Sequence, residues 1–171
     1  MNQGKLILFL FSSLGLIISI LTHIALHLDY NVQDSPVSPF LLHIGIFLTF
    51  APALILFILE NKNEVDENNR KPGLRILFKI SPKPLILLTF IIYIYAILNF
   101  FLFMGSMPGS PTEKEGGYIL SNHGKVIKEI SFEEFKYYQR KEAIGFSGHW
   151  MVFYSAALLL SYPFRKKNLL K

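Results

Sequence analysis

The sequence predicts an all-α membrane protein: a four-helix transmembrane bundle with a small extracytoplasmic ββα insertion between helices 3 and 4. Three observations predict it. Hydrophobic residues make up 51% of the 171 positions and charged residues only 17%, against about 25% charged in ordinary soluble domains. The apolar residues gather into four long runs almost free of charge. The basic residues are concentrated in alternate connections between those runs. A mean hydropathy of +0.39 and 16 Phe leave more apolar surface than one small water-soluble core hides, and a bilayer is the simplest solvent for the surplus. There is no cysteine, which excludes disulfides, thiolate metal sites and cysteine nucleophiles.

The first run, Leu6 to about Leu26, has the roughly 20 residues a helix needs to cross about 30 Å of hydrocarbon. A secretory signal has an apolar core of only about 7–15 residues followed by a small-residue cleavage site. No such site precedes Asp29, so the run is expected to stay as an uncleaved helix. The second run, Phe40 to Leu59, contains Pro52, which predicts a kink. The third, Leu85 to Met104, opens behind Pro82 and Pro84. The fourth, Gly148 to Phe164, is the shortest, with Ser147 as its expected N-cap and Trp150 and Tyr162 as expected interfacial anchors.

Lys and Arg set the expected orientation. The connection from Asp29 to Pro39 has no basic residue. The loop 60–84 carries Lys62, Arg70, Lys71, Arg75, Lys79 and Lys83, and the tail carries Arg165, Lys166, Lys167 and Lys171. By the positive-inside rule this loop, the tail and the N-terminus with Lys5 are cytoplasmic. The net charge of +5 is thus a topology signal and an attraction to anionic head groups of the lipid bilayer, with no nucleic acid implied. Within the loop, Gly73 to Ile80 alternates basic and apolar residues and is consistent with a short surface helix or with continued loop.

The insertion, 105–146, opens with GSMPGSP, which reads as a linker. Two β-rich runs, Tyr118–Ser121 and Val126–Ile130, flank Asn122-His123-Gly124-Lys125 and predict a hairpin. Ser131 and Glu134 form a capping-box pair, after which Phe132, Phe135 and Tyr138 mark one side of a short helix. The stretches YILSNHGKVIKEISFEEF and FSGHWMVFY, with their elements NHG, S-x-x-E and FSGHW, are similar to small bacterial inner-membrane proteins of unassigned function. That resemblance, over about the last third of the chain, implies a bacterial inner membrane location and no particular activity.

Four of the five histidines fall within or at the end of an expected span. Ionisable groups there are costly and usually face the bundle interior or a water-filled cavity. With the spans threaded in this way, His23, His27, His43 and His149 all lie toward the outer side, joined by Tyr95 and Asn99 near the end of the third helix. His23 and His27 are four apart, on the same side as Ser12, Gly15 and Ser19, small residues that mark close helix approach. The cluster supports three expectations. The four imidazoles bind zinc or copper, with Tyr95, Asn99 and hairpin His123 outside them; two of them ligate a b-type haem or take part in a proton relay; or they are structural, hydrogen-bonded across helices. No acidic residue lies inside a span, no Gly-rich phosphate loop is present, and Ser147-Gly148-His149 are too close in sequence to face one another as nucleophile and base. The chain is therefore expected to be an accessory or binding subunit engaging other membrane protein subunits, or a metal- or haem-binding protein, rather than an enzyme.

Overall fold

The computed structural model describes residues 3–30, 38–62, 75–114 and 116–164. The elements run α1 (Gln3–His27), α2 (Leu41–Asn61), α3 (Arg75–Ile80), α4 (Lys83–Ser106), β1 (Ser110–Lys114), β2 (Gly117–Asn122), β3 (Lys125–Ile130) and α5 (Phe132–Ser161). Four of them, α1, α2, α4 and α5, are long and apolar enough to cross a membrane. Helix α2 continues through Pro52, and Pro84 sits in the first turn of α4, where its missing N–H costs nothing. Helix α1 stops at Asp29, whose φ of +62° suits the left-handed conformation that Asp tolerates better than most residues. The Tyr30 N–H then reaches back to the Ala25 carbonyl at 3.0 Å.

The helices are not equivalent. In the apolar stretch of α5, 61% of residues are buried, against 28%, 22% and 17% in α1, α2 and α4. Helix α5 is the hub, and the other three pack around it with their outer faces left apolar and exposed. Its Trp150, Met151, Tyr154 and Leu158 meet Leu16, Ile46 and Ile92 at mid-bundle. Tyr154 passes between α1 and α2 where Gly15 and Gly45 make room for it, and its hydroxyl donates to the Leu42 carbonyl at 2.8 Å. Toward the other end, Ala157 and Leu160 meet Ala53, Phe57 and the α3 residues Ile76 and Leu77. Helix α3 thus closes the bundle with two buried side chains and leaves Phe78 exposed.

The expected ββα insertion is present with differences. Its sheet has three antiparallel strands in the order β1-β2-β3, because Ser110 and Pro111, the end of the segment expected as a linker, continue into Thr112–Lys114 as β1. The hairpin turn falls on His123 and Gly124, both at positive φ (48° and 79°), the type I′ geometry whose twist matches the strands. Leu120 and Ile130 pack on Phe135, with Tyr118 and Tyr138 at the margin. The capping box at Ser131 and Glu134 is formed in both directions.

A larger departure from expectation lies between the sheet and the last span. The short helix of the insertion and the fourth span are one uninterrupted helix, so Ser147 is no N-cap but a fully buried residue in mid-helix. Trp150 likewise lies at 0% exposure in the core and not at an interface. Gly148, expected as the start of the fourth span, instead lets α4 approach closely, as does Gly145: a Cβ at Gly148 would meet the Asn99 amide at 2.7 Å. At 30 residues α5 is about 45 Å long, more than the roughly 30 Å of hydrocarbon. Its first turns are the part that carries the sheet.

Candidate functional site

Three helices meet at a buried imidazole near the sheet end of the bundle. His23 of α1 is 5% exposed. Its Nδ1 lies 2.6 Å from Ser147 Oγ on α5, and its Nε2 lies 2.5 Å from the Tyr95 hydroxyl on α4. Ser147 Oγ is also 2.9 Å from the Ile144 carbonyl, to which only a hydroxyl proton can donate. That fixes the direction of the whole chain. Tyr95 O–H donates to Nε2, Nδ1–H donates to Ser147 Oγ, and Ser147 O–H donates to the Ile144 carbonyl. His23 is therefore the neutral Nδ1–H tautomer, with every proton in the chain used once.

The surroundings complete the fastening. The Asn99 amide donates to the Ile144 carbonyl at 2.9 Å and lies 3.4 Å from that of Gly145. His27 is exposed one turn beyond His23, its ring edge-on with centroids 4.6 Å apart. Just past the end of α1, Asp29 receives the Arg140 guanidinium at 2.8 Å. So α1 is tied to α5 twice, once within the bundle and once at the base of the sheet-bearing segment.

The four histidines expected to act together are divided. His23 and His27 adjoin. His43 is exposed on α2 with its ring against Phe47. His149 is half-buried on another side of α5, donating from Nδ1 to the Gly145 carbonyl at 3.2 Å and packing edge-on against Phe100. His123 stays in the exposed hairpin turn. Among the described residues no three His, Asp or Glu side chains are grouped so as to hold a metal ion. Tyr95 bonds the His23 ring directly, and Asn99 bonds the α5 carbonyls beside it, both within the helix packing. Ser147 was missed as a member. The small residues Gly145, Ser147, Gly148, Ser155 and Ala157 mark an interhelical face on α5 by the same rule that oriented His23 on α1.

Ser147 and His23 stand at the distance of a nucleophile and its base, yet the arrangement does not serve nucleophilic attack. Ser147 is at 0% exposure, its proton is directed to a backbone carbonyl, and the far ring nitrogen meets a phenol where a triad has a carboxylate. The chain of hydrogen bonds also ends on that carbonyl, so it carries no proton across the bundle. What the arrangement does is hold α1, α4 and α5 in one register. No family model, curated protein or solved structure matches the chain.

Proposed function

We propose that this chain is a small multi-pass membrane protein that serves as a binding or accessory subunit, presenting its three-stranded module at one membrane surface. One observation carries the proposal: the helix that bears the module is also the hub of the bundle, continuous from Phe132 to Ser161. A partner bound at the sheet would pull on the one element that α1, α2 and α4 all contact. The buried polar groups favour the same role, since His23, Tyr95, Ser147 and Asn99 are used in helix–helix bonds and leave no ligand set or nucleophile directed at a substrate. In this proposal the basic loop, the tail and both termini are cytoplasmic and the module stands outside, by the positive-inside rule.

Site-specific photocrosslinking in cells tests it. A crosslinker at Ile127, exposed on β3, is expected to give a discrete protein adduct, while one at Leu102, on the apolar outer face of α4, gives lipid adducts. Lipid adducts alone from both positions overturn the accessory role. The absence of cysteine makes orientation simple to check: Lys125→Cys is expected to react with an impermeant thiol reagent from outside, and Asn68→Cys is not. The reverse pattern overturns the orientation.

A further inference from the structure

We infer that the Tyr95–His23–Ser147 chain is an acid-sensitive lock, which holds α1 and α4 to α5 at the sheet end and loosens when His23 takes up a proton. The burial of the ring among neutral partners carries the inference. In the chain as it stands Nε2 is the unprotonated nitrogen, because the Ser147 proton is committed to the Ile144 carbonyl and Nδ1–H to Ser147. One proton from solvent adds to Nε2 and brings one positive charge. The Tyr95 hydroxyl must then turn from donor to acceptor and direct its own proton away from the ring. The exposed ring of His27 stands edge-on to His23.

The neighbours of His23 offer the new charge little compensation. From α1 it faces His27, a second imidazole, while Asp29 beyond it is held by Arg140 of α5. From α4 it faces the Tyr95 phenol, with Asn99 committed to the carbonyls of Ile144 and Gly145. From α5 it faces Ser147. His43 of α2 stands apart against Phe47. Among the described residues no carboxylate pairs with His23, and a charge buried without a partner is costly. The cheapest relief is for α1 to move so that water reaches the ring. The Asp29–Arg140 pair, outside the bundle, would keep the end of α1 tethered as it does so.

The chain supplies its own reporter. Trp150, the single tryptophan, is fully buried three residues past Ser147 on α5. The experiment uses the full-length protein in phosphatidylcholine nanodiscs, titrated from about pH 7.5 to about pH 3, the ordinary imidazole range and below it. Trp150 emission is followed alongside 15N resonances of labelled histidine, with His23 assigned through its proximity to 13C-labelled Tyr95. The lock predicts the Nδ1–H tautomer of His23 at pH 7.5 and a reversible change in Trp150 emission that coincides with protonation of Nε2. It also predicts that the emission change is lost in His23→Gln, whose amide can both donate and accept. An Nε2–H tautomer at pH 7.5 overturns it, as does a His23 ring that stays neutral to the lowest pH. So does emission that stays constant while His23 titrates, or an emission change that tracks His27 alone. Because the tautomer and the coincidence are read on the unmodified chain, the result stands even where the Gln variant does not fold.

Discussion

The two ends of the bundle are closed by different chemistry. At the sheet end the fastening is polar and directional: His23 to Ser147 and Tyr95, Asn99 to the α5 backbone, Asp29 to Arg140. At the opposite end it is mostly apolar, with Ile76 and Leu77 of α3 seated on Ala53, Phe57, Ala157 and Leu160. An ion pair of the buried Lys5 with the more exposed Glu60 joins the start of α1 to the end of α2 there. Hydrogen bonds specify one register and one protonation state, whereas apolar packing in lipid tolerates many. The sheet end is therefore where the proposed response to pH and the proposed partner binding would act, and the opposite end would serve as the anchor.

The largest effect is expected from breaking the Lys5–Glu60 contact of the apolar end. Lys5→Met removes a charged partner of Glu60 and should cost about 2.5 kcal/mol, within the range for a hydrogen bond between charged groups. The Lys5→Met, Glu60→Met double variant should recover most of it, as read by thermal unfolding in micelles. A double variant no better than the single one would mean that the pair contributes more than charge balance. Next comes the polar end. His23→Leu removes the partner of both Tyr95 and Ser147, and a loss of about 2 kcal/mol is expected. Tyr95→Phe removes one bond and should cost nearer 1 kcal/mol. Equal losses for the two variants would show that Ser147 contributes nothing to the fastening.

The smallest effects lie in the module, where two carboxylates of α5 are shifted in opposite directions. Glu134 is held below the usual range by hydrogen bonds from Lys128 and from the Ser131 backbone, and Lys128 is raised in turn by Glu134. Their contribution is present between the unfolded values of about 4.3 and about 10.4. It is lost on the acid side as pH falls through the lowered Glu134 value, and on the basic side as pH rises through the raised Lys128 value. Glu142 is raised by burial, so its share runs the other way: it is full below about pH 4.3 and is lost as pH rises through the folded value. Amide protection in β3 and the first turns of α5 should hold steady from about pH 5 to 9 and weaken below about pH 4. Glu142→Gln should raise the melting temperature slightly at pH 7. A fall at pH 7 would show that the carboxylate has a partner it depends on.

Much of the fold was legible along the chain because its signals are local. Four apolar runs of helical length, prolines ahead of the third, the Ser131–Glu134 cap and the His123-Gly124 turn all lie within a few residues of what they specify. Even the kinship of His23, Tyr95 and Asn99 could be read from i, i+4 spacing combined with the threading of the spans. What misled was also local. Ser-Gly before an apolar stretch has the composition of a helix start, and the segment of Gly and Pro before the hairpin has that of a linker. Lipid and water divide residues by depth along a span. It leaves open which face of a helix meets which neighbour.

By itself, then, the sequence determined that four helices have the length and polarity to cross a membrane, that a small β module precedes the last of them, and that Tyr95 and Asn99 share one face of the third long helix. Those are consequences of transfer energy and of backbone geometry within single segments. Only the tertiary structure decided that α5 is one helix and the hub, that His43 and His149 stand apart from His23, and that Ser147 lies beneath it. Such pairings depend on the rotation of each helix about its own axis. That rotation is set by where glycine lets a tyrosine or an asparagine fit between two backbones, as at Gly15, Gly45 and Gly148.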